Sequence, residues 1–190
     1  MAKDFFVKNV FFEGSGNGGD GPSPEALQPR TGFIDYNNTI SPVAVNANEW
    51  TTLPNDGLGS FTNKAYPPTG VSELMDQTTG AIDPKQLSLG DFIVIRNDFT
   101  IVPTTNNAKL EFRYSLGGPG QEYVLETAFP RMDSGAGIGY RFSLRADLIY
   151  MGDENTRSHP IILQVRVGTD SEVFNAGSVV VAVLREVGNG

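Results

Sequence analysis

The sequence predicts an all-β protein, an antiparallel β-sandwich or jelly roll that carries an extended N-terminal arm. Three observations predict it. Apolar and polar residues alternate with a period of two along several segments. In residues 140–150, Tyr140, Phe142, Leu144, Ala146, Leu148 and Tyr150 share a face opposite Arg141, Ser143, Arg145 and Asp147. Turn-forming clusters recur between such segments, fed by 22 glycines and 12 prolines in 190 residues. No segment repeats its apolar residues at the helical period, so a helix-connected parallel sheet is not expected.

The elements follow in chain order. Residues 3–12 read Lys-Asp-Phe-Phe-Val-Lys-Asn-Val-Phe-Phe, a run of strand formers. Residues 1–12 are predicted to form a docking arm whose anchors are Phe5, Phe6, Val7, Val10, Phe11 and Phe12. Strand alternation puts Phe5, Val7 and Phe11 on one side and Phe6 and Phe12 on the other. A lone strand is unstable in water, so the arm must lie on its own domain, on a sister subunit or on another protein. A frayed terminus is the plain alternative. Residues 13–30, rich in Gly and then Pro, form a linker, and the sandwich occupies 31–190.

Within the sandwich, 32–36, 42–47 and 50–53 are short strand candidates. Residues 110–116, 123–129 (closed by Pro130), 140–150 and 161–167 follow as longer ones. Asn37-Asn38, Asn55-Asp56-Gly57, Gly117-Gly118-Pro119-Gly120 and Asp153-Glu154-Asn155 supply turns. Two segments depart from half-buried alternation: 92–95 and 179–184 are apolar on both faces. Something must cover the second face, either the long loop 54–90 or another subunit. The oligomer-interface candidates are therefore Phe92, Ile93, Val94, Ile95, Val179, Val181 and Val183.

Composition narrows the function classes. A net charge of −8 gives no global basic footprint for nucleic acid or an anionic membrane surface, and neither partner is expected. With no cysteine and one histidine, disulfides, thiolate zinc sites, a Cys nucleophile and a multi-His metal site within one chain drop out. No run approaches eighteen apolar residues, so no bilayer-spanning helix is predicted. Residues 1–14 lack the apolar core of a secretory signal, which leads us to expect synthesis and assembly in the cytoplasm.

Chemistry-bearing motifs are weak. Gly14-Ser-Gly16-Asn-Gly18-Gly19 matches G-x-G-x-x-G, but Asp20-Gly21-Pro22-Ser23-Pro24 cannot open the helix that a dinucleotide site needs. His159 stands beside Ser158 without a nucleophile elbow. The carboxylates are dispersed, and Asp153-Glu154-Asn155 is better explained as a solvated turn than as a Ca²⁺ loop. Trp50 suits a core or interface anchor better than a sugar-stacking platform. No catalytic residue, cofactor or metal is expected, and the chain is not predicted to be an enzyme.

Two strings carry a family resemblance: Glu49-Trp-Thr-Thr-Leu-Pro-Asn-Asp-Gly-Leu-Gly59, continuing to Phe61-Thr-Asn63, and Leu87-Ser-Leu-Gly-Asp-Phe-Ile-Val-Ile-Arg-Asn-Asp98. They resemble segments of bacteriophage virion proteins with a jelly roll of the tumour-necrosis-factor/C1q type, found as head decorations, spikes and fibre heads and often trimeric. The resemblance implies that residues 87–91 open a core strand and that 179–184 lie near a trimer axis. It extends as a pattern over most of 31–187, and residues 1–30 fall outside it. The expectation is a structural virion protein, a capsid decoration or similar surface component. Its expected partners are itself, as a homotrimer, and other virion proteins such as the major capsid protein. The alternative is a receptor- or carbohydrate-binding head of a tail fibre or spike, with Trp50 and Tyr66 as contacts. A polysaccharide-degrading enzyme is a third possibility in principle, because carboxylate pairs form in space.

Overall fold

The computed structural model describes residues 30–40 and 42–183. The arm, the linker up to residue 29, and Leu184 lie outside the described residues. The described residues form eleven strands: β1 (Thr31–Asn37), β2 (Val43–Val45), β3 (Thr51–Thr52), β4 (Asn63–Tyr66), β5 (Phe92–Pro103), β6 (Leu110–Leu116), β7 (Tyr123–Ala128), β8 (Tyr140–Ser143), β9 (Asp147–Tyr150), β10 (Ile162–Val167) and β11 (Ser171–Val183). They form two antiparallel sheets packed face to face. The larger runs β4-β1-β11-β5, with β8 and β9 end to end along the outer side of β5 and β2 pairing with the start of β11; the smaller runs β3-β10-β6-β7.

The inward faces make one core. Ile34, Tyr36, Ile93, Ile95, Phe99, Ile101, Val180 and Ala182 of the larger sheet meet Leu110, Phe112, Tyr114, Leu163 and Val165 of the smaller, all buried. Phe99 stacks on Phe112 across the layers at 5.8 Å between ring centroids, and Phe112 meets Tyr114 edge-on at 4.9 Å. The alternation of β6 and β10 appears directly in their burial, with Leu110, Phe112, Tyr114 and Leu116 inside and the residues between them half exposed.

The strand expected over 140–150 is not continuous. Ser143 lies opposite Asp98 and Asp147 opposite Ile95, so β8–β9 advance four residues while β5 retreats three. One extra residue in 144–146 makes a bulge, and a one-residue slip exchanges the faces. Phe142 therefore packs on the core, whereas beyond the bulge Ile149 is buried and Leu148 and Tyr150 turn outward. Long β11 carries the matching device. Asn175 faces Phe99 and Gly177 faces Asp98, leaving Ala176 as the extra residue. Gly177 has φ of 134°, and a Cβ there would lie 2.1 Å from the Tyr36 carbonyl oxygen, so the crossing requires glycine.

Other boundaries shifted as well. The segment 92–95 is the start of a twelve-residue strand, and 179–183 is the end of a thirteen-residue one. β4 was not anticipated, because Asn63-Lys-Ala-Tyr66 has no alternation to betray it. Asp153-Glu154-Asn155, expected as a turn, opens the single α-helical turn α1 (Glu154–Ser158), where the Asp153 carboxylate accepts from the Thr156 amide at 2.8 Å. The loop 54–90 does not cover the outer face of β5 and β11. Its buried residues Leu74, Met75, Ile82 and Leu87 enter the core instead. Ile82 bridges to Ile161, and the Leu74 amide donates to the Tyr36 hydroxyl at 2.8 Å. The loop thus closes the sandwich along its β1–β10 side.

Candidate functional site

The described residues contain no group of three or more metal-ligating side chains and no helix long and apolar enough to cross a membrane. His159 Nδ1 lies 2.9 Å from the Asn155 carbonyl and 3.2 Å from Ser158 Oγ, packed against Gly118 in the Gly117–Gly120 turn region. That arrangement ties α1 to a turn and sets up no nucleophile with a base and an orienting acid. The conspicuous features are surfaces.

The first is the outer face of the larger sheet. Strand register puts Phe33 opposite Tyr66 on one side and Val181 on the other, Val181 opposite Val94, and Val94 opposite Leu148. One apolar row thus crosses five strands, with Phe33 and Tyr66 stacked at 5.4 Å. A second row runs Val183, Phe92, Tyr150. Of the interface candidates, Phe92, Val94, Val179, Val181 and Val183 stand on this outer face and are half-buried. Ile93 and Ile95 do not. Both are fully buried inside a single chain, because alternate residues of β5 face the smaller sheet, and they are corrected to core residues. A polar row borders the patch where Val179 separates Asp35 from Arg96, and Arg96 pairs with Asp98 at 3.1 Å. Burial, reinforced by the nearby Asp98 charge and only partly offset by Arg96, raises the Asp35 carboxyl above its ordinary range.

The outer face of the smaller sheet is different in kind. Glu111 accepts from Arg166 at 2.7 Å, and Arg113 donates to Gln164 at 2.8 Å. The Trp50 ring lies against both guanidinium groups, with centroid distances of 4.0 Å to Arg113 and 4.6 Å to Arg166. Trp50 thus anchors a charged surface. Tyr66, the other predicted contact, is engaged on Phe33.

The third feature is the side of the sandwich opposite the closed one. There β7 forms the margin of the smaller sheet, and all six of its residues are exposed. Tyr123 and Leu125 are 42% and 38% exposed, and Leu148 and Tyr150 of β9 across the gap are 57% and 52% exposed. Two hollows lie along this gap. One of about 310 Å³ is lined by Leu116, Tyr123, Leu125, Ile149 and Tyr150, and one of about 290 Å³ by Phe112, Thr127, Phe129, Leu144 and Asp147. Burial raises the Asp147 carboxyl above its ordinary range, against the lowering influence of Arg145. Sequence reasoning placed a strand at 123–129, closed by Pro130, but nothing in the sequence marked β7 as an uncovered margin.

No family model matches the chain, and no curated protein matches it. Among solved structures, it is similar to the Eiger TNF of S. frugiperda, at 8% identity and a TM-score of 0.45, over 85% of this chain and 96% of that one. It is similar to a chain of infectious bursal disease virus, Gx strain, at 13% identity and a TM-score of 0.46, over 91% of this chain but 38% of that one. The vertex protein of PRD1 matches at 13% identity and a TM-score of 0.34, over 82% and 96% of the two chains. The chain thus spans about two-fifths of the length of the bursal disease virus chain.

Proposed function

We propose that the chain is a structural component of a bacteriophage virion, a capsid decoration or similar surface protein assembled in the host cytoplasm. It docks on the particle, on a shell component such as the major capsid protein, through the arm at 3–12. It self-associates as a homotrimer through the outer face of the larger sheet. The observation that carries the reading is the apolar row Tyr66–Phe33–Val181–Val94–Leu148, continuous across five strands. Soluble monomers rarely leave so connected an apolar surface in water, and a symmetric contact removes it. The phage-like strings at 49–63 and 87–98 give the reading its virion setting.

Val181→Asp puts a carboxylate in the middle of that row. In light scattering at micromolar concentration we expect a trimer for the unmodified protein and a folded monomer for the variant. A monomer for both ends the oligomer reading. Immunogold or cryo-EM location on the particle tests the virion role, and absence from particles ends it. The alternative, a receptor- or carbohydrate-binding head, draws on Leu58 and on Phe61, which is 80% exposed in the 54–70 loop. Glycan-array binding lost in Phe61→Ala would favour it.

A further inference from the structure

We infer that the margin strand β7 is the seat of the chain's own N-terminal arm, which joins the smaller sheet as a fifth strand beside Tyr123–Ala128. The inference shares with the proposed function only the premise that residues 3–12 dock as an added strand. It goes beyond that function in assigning the arm a seat on its own body in the free protein.

β7 needs a cover. Its far side pairs with β6 from Leu116–Tyr123 to Glu111–Ala128 without a bulge, and its near side has no strand beside it among the described residues. Natural sheets blunt such margins with Lys, Pro, a bulge or an overlying segment, because a flat apolar edge templates aggregation. Tyr-Val-Leu-Glu-Thr-Ala has none of the first three.

The occupant is argued from pattern and reach. Inward positions along this edge alternate as Tyr123, Leu125, Thr127 and Phe129, and all four line the two hollows. One side of the arm alternates as Phe5, Val7, Asn9 and Phe11, over the same six-residue span. Set parallel, the two series match throughout: Phe5 with Tyr123, Val7 with Leu125, polar Asn9 with polar Thr127, and Phe11 with Phe129. The antiparallel setting puts Asn9 against Leu125 and Val7 against Thr127. The described chain also starts in the right place. Thr31 lies opposite Val183, Val183 opposite Phe92, and Phe92 opposite Tyr150, which lines the same hollow as Tyr123 and Leu125. Three strand spacings, about 14 Å, separate Thr31 from the Tyr123 end of that gap, and the parallel arm ends about 20 Å farther along, at Phe129, so the linker must span roughly 25 Å or somewhat more. Residues 13–29 reach about 23 Å as a flexible coil and on the order of 55 Å when stretched. Such a tether gives an effective concentration near millimolar, so at micromolar protein the chain's own arm outcompetes one from a separate assembly.

Hydrogen exchange on the full chain tests this. We compare the unmodified protein with a full-length variant carrying Phe5→Asp, Val7→Asp and Phe11→Asp. Exchange of the 123–128 amides should be at least tenfold slower in the unmodified protein, with the amides of β10 unchanged between the two. Equal rates over 123–128 overturn the inference. The absence of native cysteine allows a second readout with Val7→Cys and Leu125→Cys in one chain. Oxidation at low micromolar concentration should give a disulfide within the chain. A disulfide found only between chains overturns the inference in favour of arm exchange. Particle occupancy separates the two readings. A triple-Asp variant that loses β7 protection but keeps full occupancy supports this seat and ends arm-mediated attachment. One that loses occupancy with β7 exchange unchanged does the reverse.

Discussion

The two long sides of the sandwich are finished in opposite ways. Along β1 and β10 the gap between the sheets is filled by 54–90, which inserts Leu74, Met75 and Ile82 and hydrogen-bonds its backbone to both neighbours. Asn55 extends the same seam, donating to the Tyr36 carbonyl at 2.8 Å. Along β7 and β9 no described residue supplies such filling. Apolar side chains stand at the rim, the margin backbone is unpaired by any described strand, and Asp147 sits where burial disfavours its charge. The closed side contributes mainly to folding stability, while the open side leaves more apolar surface uncovered by the described residues.

Truncation distinguishes the sides most sharply. Ile82→Ala removes a fully buried side chain that joins the loop to Ile161, and should cost about 2–5 kcal/mol in denaturant unfolding. Leu125→Ala on the open side should cost less than about 1 kcal/mol. Similar losses at both sites would break the distinction.

A smaller contrast compares two buried tyrosines. The Tyr36 hydroxyl donates to Glu73 and accepts from the Leu74 amide, which also donates to Glu73 at 3.1 Å, so Tyr36→Phe removes two hydrogen bonds, leaves that amide with Glu73 alone, and should cost about 1–3 kcal/mol. The Tyr114 hydroxyl is buried with no hydrogen-bond partner among the described residues. Tyr114→Phe should therefore stay within about 1 kcal/mol of the unmodified protein, on either side. Thermal unfolding of the pair measures both.

The subtlest contrast is in pH. Burial pushes the Glu73 carboxyl up, but hydrogen bonds from Lys64 and Tyr36 outweigh it and hold the group below its ordinary range. Its stabilisation is present above the unfolded pKa near 4.5 and is lost as pH falls through the lower folded value. Asp147 has the opposite sign. Its raised carboxyl penalises the folded state at neutral pH, and the penalty is relieved as pH falls through the folded value toward the unfolded one near 3.8. In stability–pH curves, Glu73→Gln should flatten the acid limb, whereas Asp147→Asn should raise stability at neutral pH and remove a gain on mild acidification. Matching signs for the two variants would contradict the assignment.

Much of the fold was legible where alternation is unbroken. β6 spans the predicted 110–116 and β10 falls within a residue of prediction, because each has one wet face and one dry face, while β7, also within a residue, was bounded by Pro130. Prediction failed where geometry depends on a partner strand. The bulge in 144–146 is visible only against β5, and reading 140–150 as one strand put Leu148 and Tyr150 on the wrong face. Residues 92–95 and 179–183 were correctly marked as apolar on both faces. Which half of each faces the smaller sheet was not legible, so Ile93 and Ile95 were placed at an interface when they belong to the core.

The sequence by itself determined the class of the fold, because a period of two with frequent turns leaves helices nothing to bury. It also determined that two strands carry more apolar surface than one core face can take. Tertiary structure alone decided where that surplus emerges. Residues far apart in the chain, Tyr66, Phe33, Val181, Val94 and Leu148, become one row only through the register of five strands. The same holds for the two sides of the sandwich. The apolar residues of 54–90 and of 123–129 look alike as sequence, and only the path of the chain sends the first into the gap and leaves the second at the rim. Local composition fixes how much must be buried, and long-range pairing fixes against what.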